Sequence, residues 1–164
     1  MVQMKAILRT GLRALTIMLA LAYSANAASL EDGLAAYVQG NFAMALKLWQ
    51  PHAEQGHAEA QNNLGVIYAN GRGVPRDDVE AVKWWRKAGE QGNAVAQFNL
   101  GVSYRTGWGV PQDYISAHMW LSLAAEAGYE TAPKIRDQLA KRMTPDQIAE
   151  AQRMVREWMA KHQQ

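Results

Sequence analysis

Residues 57–92 and 93–128 are two copies of one pattern: a shift of 36 positions pairs them with 18 identities in 36, where ordinary composition yields roughly two or three by chance. The shared residues include Ala60-Gln61/Ala96-Gln97, Asn63-Leu64-Gly65-Val66/Asn99-Leu100-Gly101-Val102 and Gly73-Val74-Pro75/Gly109-Val110-Pro111. A period of this length belongs to a solenoid, whose unit cannot bury its apolar face alone and must stack on a neighbour.

Each copy carries helical spacing in both halves. Ala60, Leu64 and Tyr68 recur at i, i+4, i+8, and Ala81, Trp84 and Ala88 at i, i+3, i+7, so each unit is predicted to be two helices. Between them, Gly71 suits a left-handed helix stop, Pro75 a rigid turn, and Asp77 the N-cap of the next helix. Residues 29–56 read as a shorter hairpin of the same kind, in which Gly40-Asn41 replaces the longer loop. Residues 129–164 leave the repeat and predict two more helices. Thr144-Pro145-Asp146-Gln147 provides a capping box for the last one. Its apolar face of Ile148, Ala151, Val155, Trp158 and Met159 suits a helix that closes the end of the stack.

The N-terminus has a different character. Lys5, Arg9 and Arg13 precede the apolar run 14–22, and Ala25 and Ala27 stand where a signal peptidase needs small residues. The run is shorter than the ~20 residues that span a bilayer, so residues 1–27 are expected to be a cleaved secretion signal and the mature chain is expected to be periplasmic or secreted. Without them 14 basic residues face 15 acidic ones. No basic stripe is then left to follow a phosphate backbone, and neither nucleic-acid binding nor membrane insertion of the mature chain is expected.

The pattern Ala-x-Ala-Gln-x-x-Leu-Gly-x-x-Tyr-x-x-Gly-x-Gly-Val-x-x-Asp, followed by Ala-x-x-Trp and Ala-x-x-x-Gly, resembles the Sel1-like repeat, a relative of the tetratricopeptide repeat. The resemblance covers residues 57–128 closely, and the hairpin 29–56 is similar to the tetratricopeptide form. It implies an all-α fold, an α/α solenoid that serves as an adaptor surface for a protein or peptide partner. Family members of the cysteine-rich type pin each helix pair with a disulfide; this chain contains no cysteine and cannot.

Chemistry is sparse along the chain. The absence of cysteine excludes a thiolate nucleophile and a cysteine-ligated metal site. No serine is followed by lysine at the third position, so the S-x-x-K arrangement is missing. His52 and His57 are the only histidines near one another in sequence, and the break at Gly56 is expected to separate them. No enzymatic activity, metal or cofactor is expected; the rival reading is an envelope enzyme or a peptidoglycan- or glycan-binding accessory protein. The candidates for partner contact are the first-helix residues that differ between the copies, Glu59, Asn62 and Ile67 against Val95, Phe98 and Ser103. Trp108 joins them because it replaces Arg72 between two loop glycines. Phe98 stands out as an apolar residue whose counterpart is Asn62.

Overall fold

The computed structural model describes residues 30–162, and the expected signal lies outside them. Among the described residues eight helices follow one another: α1 (30–38), α2 (Phe42–Glu54), α3 (Ala58–Asn70), α4 (Asp78–Glu90), α5 (Ala94–Thr106), α6 (Tyr114–Glu126), α7 (Ala132–Ala140) and α8 (Pro145–His162). Helices α3/α4 and α5/α6 form hairpins, α4 packs on α5 as α2 packs on α3, and α7 and α8 both close on α6; α1 joins α2 in a hairpin through Ala36, Ala45 and Trp49. Among the described residues there is no strand.

The helix ends form where the sequence places them. Asp77 accepts a hydrogen bond from the Glu80 amide at 2.9 Å, and Asp113 accepts from the Ile115 amide at 3.0 Å. Gly71 and Gly107 end α3 and α5 in the left-handed conformation, at φ 62° and 80°. The capping box of α8 closes in both directions. The Thr144 amide donates to Gln147 Oε1 at 2.9 Å, and the Gln147 amide donates to Thr144 Oγ1 at 3.2 Å.

The core is serial, as a stack of repeats requires. Ala45, Trp49, Ala60, Leu64 and Ile67 form its first section. Ala81, Val82, Trp85, Leu100, Met119 and Trp120 form the second, and Ala117, Leu121 and Leu139 the third. Helix α8 lays Met154, Val155, Trp158 and Met159 on the second section. The terminal helix therefore covers the middle of the stack as well as its last hairpin.

The identical residues of the two copies acquire distinct tasks. Gln61 Nε2 donates to the Ala53 carbonyl and Gln97 Nε2 to the Gly89 carbonyl, each at 3.0 Å and each buried. The Gln of each first helix thus clamps the last turn of the helix before it, adding a second donor to a carbonyl that already accepts from the turn amide of Gly56 or Gly92. Gly65 lies against the Trp85 indole and Gly101 against Leu121, so close that a Cβ at either would fall 2.4 or 2.6 Å from a side-chain atom. These glycines set the approach of the two helices in each hairpin.

Candidate functional site

The candidate groove opens between the C-terminal halves of α3 and α5. It is a cavity of about 400 Å³ with Val66, Ala69, Trp85 and Val102 as its apolar wall. Asn70, Asn99, Arg76, Asp78 and Trp108 supply its polar and aromatic rim. Arg76 holds Asp78 through two hydrogen bonds of 2.9 Å, Nε to Oδ1 and Nη2 to Oδ2. The guanidinium also lies 5.8 Å from the centre of the Trp108 ring. This arrangement restrains an aromatic side chain that stays 57% exposed.

The loop position of Trp108 has a consistent role along the stack. In the first copy Arg72 reaches back to the preceding hairpin, donating to the Tyr37 hydroxyl at 2.6 Å and lying 5.1 Å from the Phe42 ring. In the second copy the aromatic and cationic partners exchange places: Trp108 reaches back to Arg76 of the preceding loop. Each loop locks to its predecessor by a cation on an aromatic face, and only the second lock leaves a tryptophan open to solvent.

The predicted contact residues do not form one patch. Ser103 and Trp108 line the groove. Glu59 is exposed and Val95 is 40% exposed, but neither lines it. Asn62, Ile67 and Ser103 are buried, which corrects their assignment to an open concave surface. Each sits on a helix flanked on both sides by neighbours, so its variation between copies reflects changed packing.

Phe98 is half-buried and engaged from outside the repeat. It packs beside Leu121 and Leu139 and stacks on Tyr129, with ring centroids 4.4 Å apart and an interplanar angle of 25°. The groove residues missed in the sequence are Arg76, Asp78, Asn70 and Asn99. The one signal for them was the position of Arg76, four residues beyond Arg72 in a loop whose counterpart carries Trp108.

The groove can accept an apolar side chain against Trp85 and Val102 and offer the Asn70 and Asn99 amides to a backbone. Among the described residues, no three His, Asp or Glu side chains converge as a metal site would require. His52 and His57, expected to stand apart across Gly56, in fact meet edge to face with centroids 5.4 Å apart.

Comparison with known proteins identifies the architecture. The Sel1 repeat model matches residues 18–57, 58–93 and 94–129, more than half of the chain. The chain belongs to the Sel1 repeat family. Sel1 repeats typically mediate interactions between proteins, and the family is generally non-catalytic. Among solved structures, the chain is similar to a protective antigen present in uropathogenic Escherichia coli strains that displays an SLR fold. The two share 29% identity with a TM-score of 0.79, over 84% of this chain and 30% of that one. It is also similar to a Sel1 repeat protein from Oxalobacter formigenes, with 39% identity and a TM-score of 0.61 over 65% of this chain and 46% of that one. The chain thus spans less than half the length of either Sel1 relative. No curated protein matches it.

Buried histidines make the stability of this Sel1 domain pH-dependent. Burial, reinforced by Arg136 and opposed by Asp137, holds His118 below the usual imidazole range. Burial and then His57 do the same for His52. In the folded protein both stay neutral at a pH where the unfolded chain already takes up protons, so stability is full above the unfolded value of about 6.5 and declines as pH falls below it. Thermal melts from about pH 7.5 down to about pH 5, spanning that value, should show a falling Tm, and His118→Gln should flatten the decline. An unchanged slope in that variant would remove His118 from the account.

Proposed function

We propose that this chain is an exported, non-catalytic adaptor of the bacterial cell envelope, holding a segment of a partner protein in the groove between α3 and α5. The observation that carries this reading is Trp108. An indole 57% exposed at the rim of an apolar cavity is the kind of anchor that dominates protein interfaces, and Arg76 already orders it before a partner arrives. Arg76 and Asp78 satisfy one another, so the groove presents little net charge and suits a segment with an apolar residue at its centre.

Trp108→Ala should weaken partner binding by about thirtyfold or more, the loss expected for a tryptophan hot spot of at least ~2 kcal/mol. Phe98→Ala should lower Tm and leave affinity unchanged, since its ring is committed to Tyr129. Titration calorimetry with the purified partner distinguishes these outcomes. Equal affinity in the Trp108 variant, with its helical circular dichroism intact, would reject the groove.

Export rests on the order of charge, apolar run and small residues over 1–27. The mature chain should begin at Ala28. Intact-mass measurement of the envelope protein checks this, and a species retaining Met1 through Ala27 would refute it.

A further inference from the structure

Helices α7 and α8 both close on α6 and leave a cavity of about 590 Å³ between the three, larger than the groove at Trp108. Its volume is that of a small-molecule site, where an apolar lining carries a few placed polar groups. Ile148, Val155 and Met159 of α8 supply the apolar wall. Four charged side chains also line it: Glu126 of α6, Arg136 and Asp137 of α7, and Arg156 of α8.

Two of the four are satisfied within the chain. Arg136 and Asp137 hold one another, Nη2 to Oδ1 at 2.8 Å, and so cancel in charge. Glu126 and Arg156 make no hydrogen bond or ion pair with any described residue, although both line this one cavity. Arg153, on the same helix as Arg156, is paired with both Glu150 and Glu157. Helix α8 thus provides acids for one arginine and none for the other. Glu126 is half-buried and Arg156 exposed, so both remain reachable from the cavity. The imidazole of His118 lies in the wall between α6 and α7, 5% exposed, with Nδ1 3.4 Å from Ser122 Oγ. Burial and Arg136 keep it neutral at neutral pH, so it adds no charge to the site.

We propose that this cavity binds a zwitterion with an apolar body, a hydrophobic amino acid or a short peptide. The ligand's ammonium pairs with Glu126, its carboxylate with the planar fork of Arg156, and its side chain rests on Ile148, Val155 and Met159. Charge decides the class. With Arg136 and Asp137 cancelling, the site offers one acid and one base, so a simple anion would meet Glu126 unopposed and a simple cation would meet Arg156. The site is separate from the groove at Trp108 and does not depend on it.

The test is a titration of protein isotope-labelled at histidine, followed at about pH 7.5 through the His118 ring signal, which His118→Gln assigns by its loss. L-Leucine should shift that signal saturably with a dissociation constant on the order of millimolar, as expected for so few atoms. N-acetyl-L-leucine, which lacks the ammonium, and L-leucinamide, which lacks the carboxylate, should each bind about tenfold more weakly. Tighter binding of L-leucyl-L-leucine than of leucine gives a peptide as the source of the two charges, and the reverse order gives a free amino acid.

The variants separate the two charges. Glu126→Gln should weaken leucine about tenfold without weakening N-acetyl-L-leucine, and Arg156→Gln should weaken leucine about tenfold without weakening L-leucinamide. Trp108→Ala should bind leucine as the unaltered chain does. No saturable shift below roughly 50 mM leucine, equal binding of leucine and its two singly charged analogues, or equal binding of leucine by both folded variants would overturn the assignment.

Discussion

Gly109→Ala should destabilise the protein by roughly 2–5 kcal/mol, far more than a single methyl group does elsewhere on the surface. Gly109 has φ 71°, and a Cβ built on it would fall 2.1 Å from the Asp78 carbonyl oxygen and 2.5 Å from its carbon. Those are backbone atoms at the start of α4, and no rotamer change can move them aside. Gly73 makes the same approach one repeat earlier, where a Cβ would fall 2.8 Å from the Ala43 nitrogen at the start of α2. The second loop glycine is therefore where each unit presses on the previous one. Gly92→Ala is the matched control: it shares a left-handed φ of 85° with nothing within 4 Å of the added atom, and carries only the strain of about 1–2 kcal/mol. Urea unfolding of the two variants should differ by the clash alone. Equal midpoints would show that the loop is not seated on α4.

The loss from Leu100→Ala should be as large, about 2–5 kcal/mol. Leu100 is fully buried among Ala88, Ala96, Trp120 and Leu123. Its Cδ1 reaches so close to Gly89 that a Cβ there would stand 2.9 Å away. The surroundings are helices held by the Gln97 clamp and by α8, so they cannot collapse into the space that a truncated side chain leaves. Val95→Ala, on the same helix but 40% exposed, should change stability by less than about 0.5 kcal/mol. A melt in which both variants behave alike would mean that the packing face of α5 is misassigned.

The periodicity carried the architecture because a helix hairpin that repeats must bury the same positions each time; Leu64, Leu100, Asp77 and Asp113 all do what their spacing implies. The identity of Gln61 and Gln97 was equally visible, but not its purpose, since a hydrogen bond to a carbonyl eight residues away depends on the angle between consecutive hairpins. Differences between copies were harder to interpret. Phe98 differs from Asn62 because its neighbours are Tyr129 and Leu139, outside the repeat, and a comparison of two repeats contains no information about them. Asn62, Ile67 and Ser103 vary while buried, showing that a changed residue on a stacked helix marks changed packing as readily as an open surface. The exposure of Trp108 was legible because its setting is local: two glycines on either side of one loop residue leave little to cover it.

The central claim is that a partner protein is held at the α3–α5 groove through Trp108. Quantitative mass spectrometry of proteins captured from envelope extract by the unaltered chain, by Trp108→Ala and by the surface control Glu59→Ala tests it most directly. The account predicts a partner recovered with the unaltered chain and with Glu59→Ala, and lost with Trp108→Ala while its helical circular dichroism is preserved. Recovery of the same partner in equal amount by all three folded proteins would contradict it.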